Sequence, residues 1–116
     1  MGKIGVVGQG YVGTAIKLGF QDHYDVLTYD KFDLGKSTHS KISDLVAEAK
    51  VIFVCVPTPM RKDGTCYTGI VEEVIREINE TANDHIVVIK STVPPGTTDK
   101  FNHEFSNVTV IFNPEF

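Results

Sequence analysis

Strand-length apolar runs that alternate with helical stripes predict an α/β fold, a doubly wound, mostly parallel sheet in three α/β/α layers. Two observations carry this. Five apolar runs recur along the chain, mostly continuous rather than alternating, as expected of strands buried on both faces. Between them, apolar residues return every three or four positions, the spacing of one helix face.

The first run, Lys3–Val7, leads through a glycine-rich turn into a stripe of Val12, Ala15, Ile16, Gly19 and Phe20. Asp25–Tyr29 is the second strand, and Lys31–Ser40 the one irregular connection. Ile42, Leu45, Val46 and Ala49 mark the second helix and Val51–Val56 the third strand. Ile70, Val71, Val74, Ile75 and Ile78 make the third helical stripe, ahead of a strand at His85–Lys90. A shorter helix after Pro95-Gly96 carries Phe101 and Phe105, and Val108–Phe112 is the last strand. Strand–helix alternation of this kind implies right-handed crossovers between parallel strands.

At 116 residues, 41% hydrophobic and 22% charged, the chain suits one folded domain with a real core. The net charge of -4 and the scatter of eleven basic residues argue against nucleic acid as a partner. No apolar run approaches the ~20 residues that cross a bilayer, so no membrane role is expected. The start has neither a signal-peptide pattern nor a myristoylation motif, and a cytoplasmic location is the expectation. Cys55 and Cys66 form no disulfide framework, and with four scattered histidines no metal site is expected.

The first strand runs into GQGYVG, residues 8–13, and then into an apolar helix. A G-x-G-x-x-G between a strand and a helix, with an acid ending the second strand, is the Rossmann dinucleotide fingerprint. Gly8 permits the tight turn, Gly10 lets a pyrophosphate approach the backbone, and Gly13 lets the helix pack close to the strand. The phosphates then meet free N–H groups at the positive end of the helix dipole. Asp30, 22 residues beyond Gly8, is placed to accept hydrogen bonds from the adenosine ribose and to repel a 2′-phosphate. That favours NAD over NADP, with Lys31 and Lys36 able to blunt the preference. Residues 1–116 are thus expected to form one NAD-binding, Rossmann-like domain.

Three further strand ends carry proline with a small hydroxyl or a carboxylate: VPTP at 56–59, KSTVPPGTT at 90–98 and NPEF at 113–116. In an open parallel sheet, ligands sit beyond the carboxyl ends of the strands, where the glycine loop also lies. GQGYVG, VIFVCVPTP, VIKSTVPPGTT and NPEF, in this order, resemble the UDP-glucose/GDP-mannose dehydrogenase family.

The resemblance implies two NAD-dependent hydride transfers that take a nucleotide-sugar alcohol, such as that of UDP-glucose, to a carboxylate. It implies that Tyr11 and Val12 line the pyrophosphate turn and that Asp30 holds the adenosine ribose. Lys31 and Lys36 are candidates for a second contact there. Thr58 and Thr92 would line the nicotinamide half, with Pro57 and Pro59 fixing the Thr58 backbone. Thr92 and Glu115 match positions that place the water at the reacting carbon, and Phe116 and Glu115 belong to a segment that meets the sugar nucleotide. The nucleophilic cysteine and the homodimer contacts of such enzymes come from a C-terminal domain. Neither Cys55 nor Cys66 matches that cysteine, and the ending at NPEF reads as a cut, so the chain alone is expected to bind NAD weakly without turnover. Two rivals share the glycine loop: a 3-hydroxyacid or 6-phosphogluconate type of dehydrogenase domain, and a stand-alone regulatory NAD-binding module.

Overall fold

The computed structural model describes residues 2–65 and 67–113. Five strands, β1 (Gly2–Val7), β2 (Tyr24–Tyr29), β3 (Val51–Val54), β4 (His85–Ile89) and β5 (Val108–Phe112), form one sheet. Their order is β2-β1-β3-β4-β5 and every neighbouring pair is parallel. Helices α1 (Tyr11–Phe20), α2 (Ile42–Glu48), α3 (Gly69–Thr81) and α4 (Thr97–Glu104) make the crossovers. The chain steps outward from β1 to β2, then returns past β1 to β3, so the sheet reverses its direction of growth between β1 and β3. A crevice opens at such a switch point because the flanking connections leave on opposite faces.

The core lies under α2, α3 and α4. Leu45 and Val46 of α2, with Val71, Ile75 and Ile78 of α3, bury against Ile52 and Val54 of β3 and Val87 and Ile89 of β4. Residues 71, 75 and 78 fall on one helical face, which is why α3 forms and where it docks. Phe101 and Phe105 close the α4 end, their ring centroids 5.9 Å apart. Gly5 of β1 exists for α2: a Cβ there would sit 2.4 Å from the Leu45 side chain.

Among the described residues the other face carries α1 alone, held through the stack of Phe20 on Phe53 at 5.7 Å. Reading across the sheet in register from β1 outward, Val6 is fully buried, Phe53 and Val88 are half-buried, and Ile111 is 46% exposed. The row one step earlier, Ile4 to Val51 to Ile86, opens in the same way. Continuous burial was therefore the wrong expectation for β4 and β5, whose burial alternates because a helix layer covers only one of their faces among the described residues. The asymmetry predicts unequal costs for one chemical change. Ile52→Ala should lose about 2–5 kcal/mol and Ile111→Ala under about 1 kcal/mol in urea unfolding.

Strand ends also differ from expectation. The third strand stops at Val54 and the fourth at Ile89, leaving Cys55, Val56 and Lys90 in the exits toward the crevice. The ladder still continues through one bond on each side, from Cys55 N–H to the Val7 carbonyl at 2.8 Å and from Lys90 N–H to the Val54 carbonyl at 2.9 Å. At the opposite edge, hydrogen bonds from His39 and Lys3 hold the Glu48 carboxyl below its ordinary range.

Candidate functional site

The glycine loop is built by contacts that a side chain would destroy. Gly8 has φ +97°, a conformation that L side chains rarely adopt, and a Cβ there would lie 2.7 Å from the Cys55 carbonyl. Its N–H is anchored to the Tyr29 carbonyl at 2.8 Å. At Gly13 a Cβ would fall 1.8 Å from the Gly8 carbonyl oxygen, so this glycine sets how closely α1 meets the loop. Gly10 differs from both: φ is -74°, and a Cβ would meet nothing within 4 Å. Its missing side chain leaves open space beside the backbone.

Gly10 is also the N-cap of α1, without a side-chain cap, and the first turn carries no acid. The intrahelical bonds begin with Thr14 N–H on the Gly10 carbonyl at 2.9 Å, so the N–H groups of Tyr11, Val12 and Gly13 have no carbonyl of their own helix to meet. Backbone donors at a positive helix end, with room for an approaching group, suit an anion.

Asp30 follows β2 and projects its carboxylate to the loop. Its Oδ2 accepts the Gln9 N–H at 2.7 Å and its Oδ1 the Phe32 N–H at 2.9 Å. Each oxygen keeps further acceptor capacity for hydroxyls of a bound sugar. The connection that follows is short and tightly tied to β2. The buried Thr28 hydroxyl donates to the Lys36 carbonyl at 2.8 Å, Thr28 N–H donates to the Thr38 hydroxyl at 2.8 Å, and Asp30 N–H donates to the Ser37 hydroxyl at 2.8 Å.

Three depressions are lined by Gly10: one that also takes in Thr14, Ala15 and Leu18 of α1, and the two that follow. A cleft of about 410 Å³ is lined by Gly8, Gly10, Asp30, Lys31, Phe32 and Lys36 on one side and by Pro57, Ile70, Glu73 and Val74 on the other. A second, of about 310 Å³, is lined by Gly10, Tyr11, Val12, Pro57, Thr58, Lys90, Ser91 and Thr92. Gly10, Cys55, Val56 and Pro57 line both, so the two run into one another across the loop. The structure thus brings Asp30 and Lys31 together on one side of Gly10, and Thr58 and Thr92 together on the other. Gly13 lines neither and acts through packing. Glu115 and Phe116, like Cys66, lie outside the described residues.

The exits of β3 and β4 are coupled by the buried Ser91, whose hydroxyl donates to the Val56 carbonyl at 2.6 Å. Beyond Pro59, the loop is fastened by Tyr67 N–H on the Pro59 carbonyl at 2.8 Å. The Thr65 hydroxyl and N–H both donate to Asp63, holding that carboxyl below its ordinary range. Sequence reasoning missed Gln9, Phe32, Ser91 and the Thr28–Ser37–Thr38 clamp. The concentration of Ser and Thr after the strand-two acid was the available signal for the clamp.

An open parallel sheet with a glycine loop at its switch point, an uncapped helix end and a strand-two carboxylate defines a dinucleotide-binding α/β domain. Residues 35–116 match the sequence model of the UDP-glucose/GDP-mannose dehydrogenase family, NAD binding domain. The chain belongs to that family, as its N-terminal NAD-binding domain, and the cofactor is NAD. It is 32% identical over 152 residues to the UDP-glucose 6-dehydrogenase of Rhizobium meliloti, covering 98% of this chain and 35% of that protein. To the GDP-mannose 6-dehydrogenase of Pseudomonas aeruginosa it is 43% identical over 58 residues, covering 47% of this chain and 13% of the relative.

A UDP-glucose dehydrogenase structure from Pyrobaculum islandicum superposes with a TM-score of 0.83 at 28% identity, over 100% of this chain and 36% of that one. A 3-hydroxyisobutyrate dehydrogenase of Mycobacterium tuberculosis, at 15% identity and a TM-score of 0.79, shares the fold. The chain spans about a third of the length of the nucleotide-sugar dehydrogenases it matches. Among the described residues no helix is long and apolar enough to cross a membrane, and no cluster of metal-ligating side chains occurs.

Proposed function

We propose that this chain holds NAD for a nucleotide-sugar 6-dehydrogenase, a UDP-glucose 6-dehydrogenase or a close relative. In this reading the adenosine lies in the cleft beside Asp30 and Lys31, and the nicotinamide lies beside Thr58 and Thr92. The observation that carries it is the meeting of the two depressions at Gly10, with the strand-two acid on one side and both threonines on the other. NAD supplies the hydride acceptor for oxidising an alcohol. The residues of this chain bind and orient it. The backbone donors of Tyr11, Val12 and Gly13 face the pyrophosphate, Asp30 accepts from the ribose hydroxyls, and Pro57 and Pro59 limit the backbone freedom around Thr58. Rigid placement of this kind lowers the entropic part of the barrier to hydride transfer.

Thr92 and Glu115 are proposed to place the water that completes oxidation to the carboxylate, and Glu115 and Phe116 to meet the nucleotide sugar. The relatives carry roughly two-thirds of their length outside the matched region, which supports the expectation that this chain alone binds NAD without sugar-nucleotide turnover. One domain over residues 1–116, a homodimer formed through other regions and a cytoplasmic location complete the proposal.

The test uses a full-length relative. Alanine at the positions matching Thr92 and Glu115 should cut turnover roughly 100-fold while NAD binding, followed by calorimetry, falls far less. Unchanged turnover would favour the alternative of a regulatory NAD-binding module, which needs neither residue.

A further inference from the structure

The ladder between β3 and β4 ends on an exchange of donors. Backbone bonds run from Ile86 N–H to the Lys50 carbonyl and from Lys90 N–H to the Val54 carbonyl, each at 2.9 Å, with Val54 in register beside Ile89. A parallel ladder advances by two residues on each strand, so the next donor due is the Thr92 N–H, onto the Val56 carbonyl. The buried Ser91 hydroxyl takes that carbonyl instead, at 2.6 Å. Among the described residues, the Thr92 N–H is left without a hydrogen-bond partner.

The surroundings hold this arrangement in place. Ser91 and Val93 are both buried and Thr92 is exposed between them, so the backbone is pinned on either side of the free amide. Val56 precedes Pro57, whose nitrogen carries no hydrogen, so no backbone donor follows on that side. Thr58 and Thr92 line the same 310 Å³ depression, together with Val56 and Ser91.

We propose that Ser91 is a positioning residue for the nicotinamide half of the cofactor: its hydroxyl replaces the Thr92 N–H in the ladder, sets the spacing of Thr58 and Thr92, and leaves that N–H to donate to an oxygen of the bound cofactor. The inference rests on the NAD reading above and deepens it. A side-chain donor ties the two exits, 35 residues apart in sequence, without drawing the Thr92 backbone into the sheet. An amide kept out of the ladder and beside the depression is a donor fixed before the cofactor arrives, which spares the cost of ordering it on binding.

Exchange of the Thr92 amide with solvent, followed by NMR, separates this role from that of a merely stabilising bond. In the unsubstituted chain that amide should exchange at least roughly tenfold faster than the amide of Lys90, which the sheet holds. Ser91→Ala opens the Val56 carbonyl to Thr92, whose amide should then exchange roughly tenfold more slowly; loss of a stabilising bond alone would speed it. In the same variant NAD should bind roughly fivefold more weakly by calorimetry, while ADP, which lacks the nicotinamide half, binds as before. Ser91→Thr, which keeps the hydroxyl, should retain the native affinities. A Thr92 amide already protected in the unsubstituted chain, or equal losses for NAD and ADP in Ser91→Ala, overturns the role of Ser91 alone. Should Ser91→Ala not fold, the unsubstituted chain decides: NAD should protect the Thr92 amide and ADP should not, and protection by both or by neither overturns the role. Failure of the unsubstituted chain to bind either ligand overturns the NAD reading and this inference with it.

Discussion

Gly13→Ala is expected to cost about 3 kcal/mol of folding stability and to lower the melting temperature by roughly 10 °C or more. The added Cβ would meet the Gly8 carbonyl oxygen at 1.8 Å and its carbon at 2.8 Å, both backbone atoms. No rotamer change relieves such a clash, so α1 or the loop must move. Moving the loop also disturbs the Gly8 N–H bond to Tyr29 and thereby the β1–β2 junction. Gly10→Ala is the control. At φ -74° with nothing within 4 Å, it should leave the fold unchanged by the same thermal measurement. Two glycines three residues apart thus separate a packing requirement from a binding one.

Asp30→Ala should damage both the fold and the site. The Gln9 N–H, on a residue only 3% exposed, would lose its carboxylate partner, and the Phe32 N–H would lose the bond that fixes its turn. Leaving a buried donor without an acceptor costs about 1–3 kcal/mol, which chemical denaturation resolves. The ribose hydroxyls would lose charge-assisted acceptors, so NAD affinity should fall roughly 10- to 100-fold. The preference for NAD over NADP should narrow in the same titration, because the carboxylate that repels a 2′-phosphate is gone. An Asp30→Ala chain that keeps both its stability and its NAD-over-NADP preference would show that this carboxylate holds neither the loop nor the ribose.

Much of this was written in local patterns. The order of strands and helices followed from apolar spacing, and the glycine loop from Gly8, Gly10 and Gly13 with Asp30 at the required distance. Residues 35–116, matched to the family, contain VIFVCVPTP, VIKSTVPPGTT and NPEF, three of the four stretches that carried the resemblance. What stayed hidden depends on partners distant in sequence. The bond between Gln9 and Asp30 joins residues 21 apart, and that between Ser91 and Val56 joins residues 35 apart. Gln9 and Ser91 lie within GQGYVG and KSTVPPGTT, but the bond each makes is not readable from its neighbours.

The half-open sheet face was hidden for a related reason. Ile111 and Val110 are both apolar and adjacent, but one is 46% exposed and the other 4%. Which face a helix covers is set by the crossovers, not by the strand's own residues. Strand length was overread at Cys55, Val56 and Lys90 because apolar or β-branched neighbours continue the pattern past the last paired residue.

Calorimetric titration of NAD into the unsubstituted chain and into Gly10→Ala tests the central claim, that this loop holds the cofactor's pyrophosphate. The account predicts saturable binding to the native chain, preferring NAD over NADP, and at least a tenfold loss in Gly10→Ala at unchanged melting temperature. Equal affinity in the two chains, or no binding to the native chain, would contradict it.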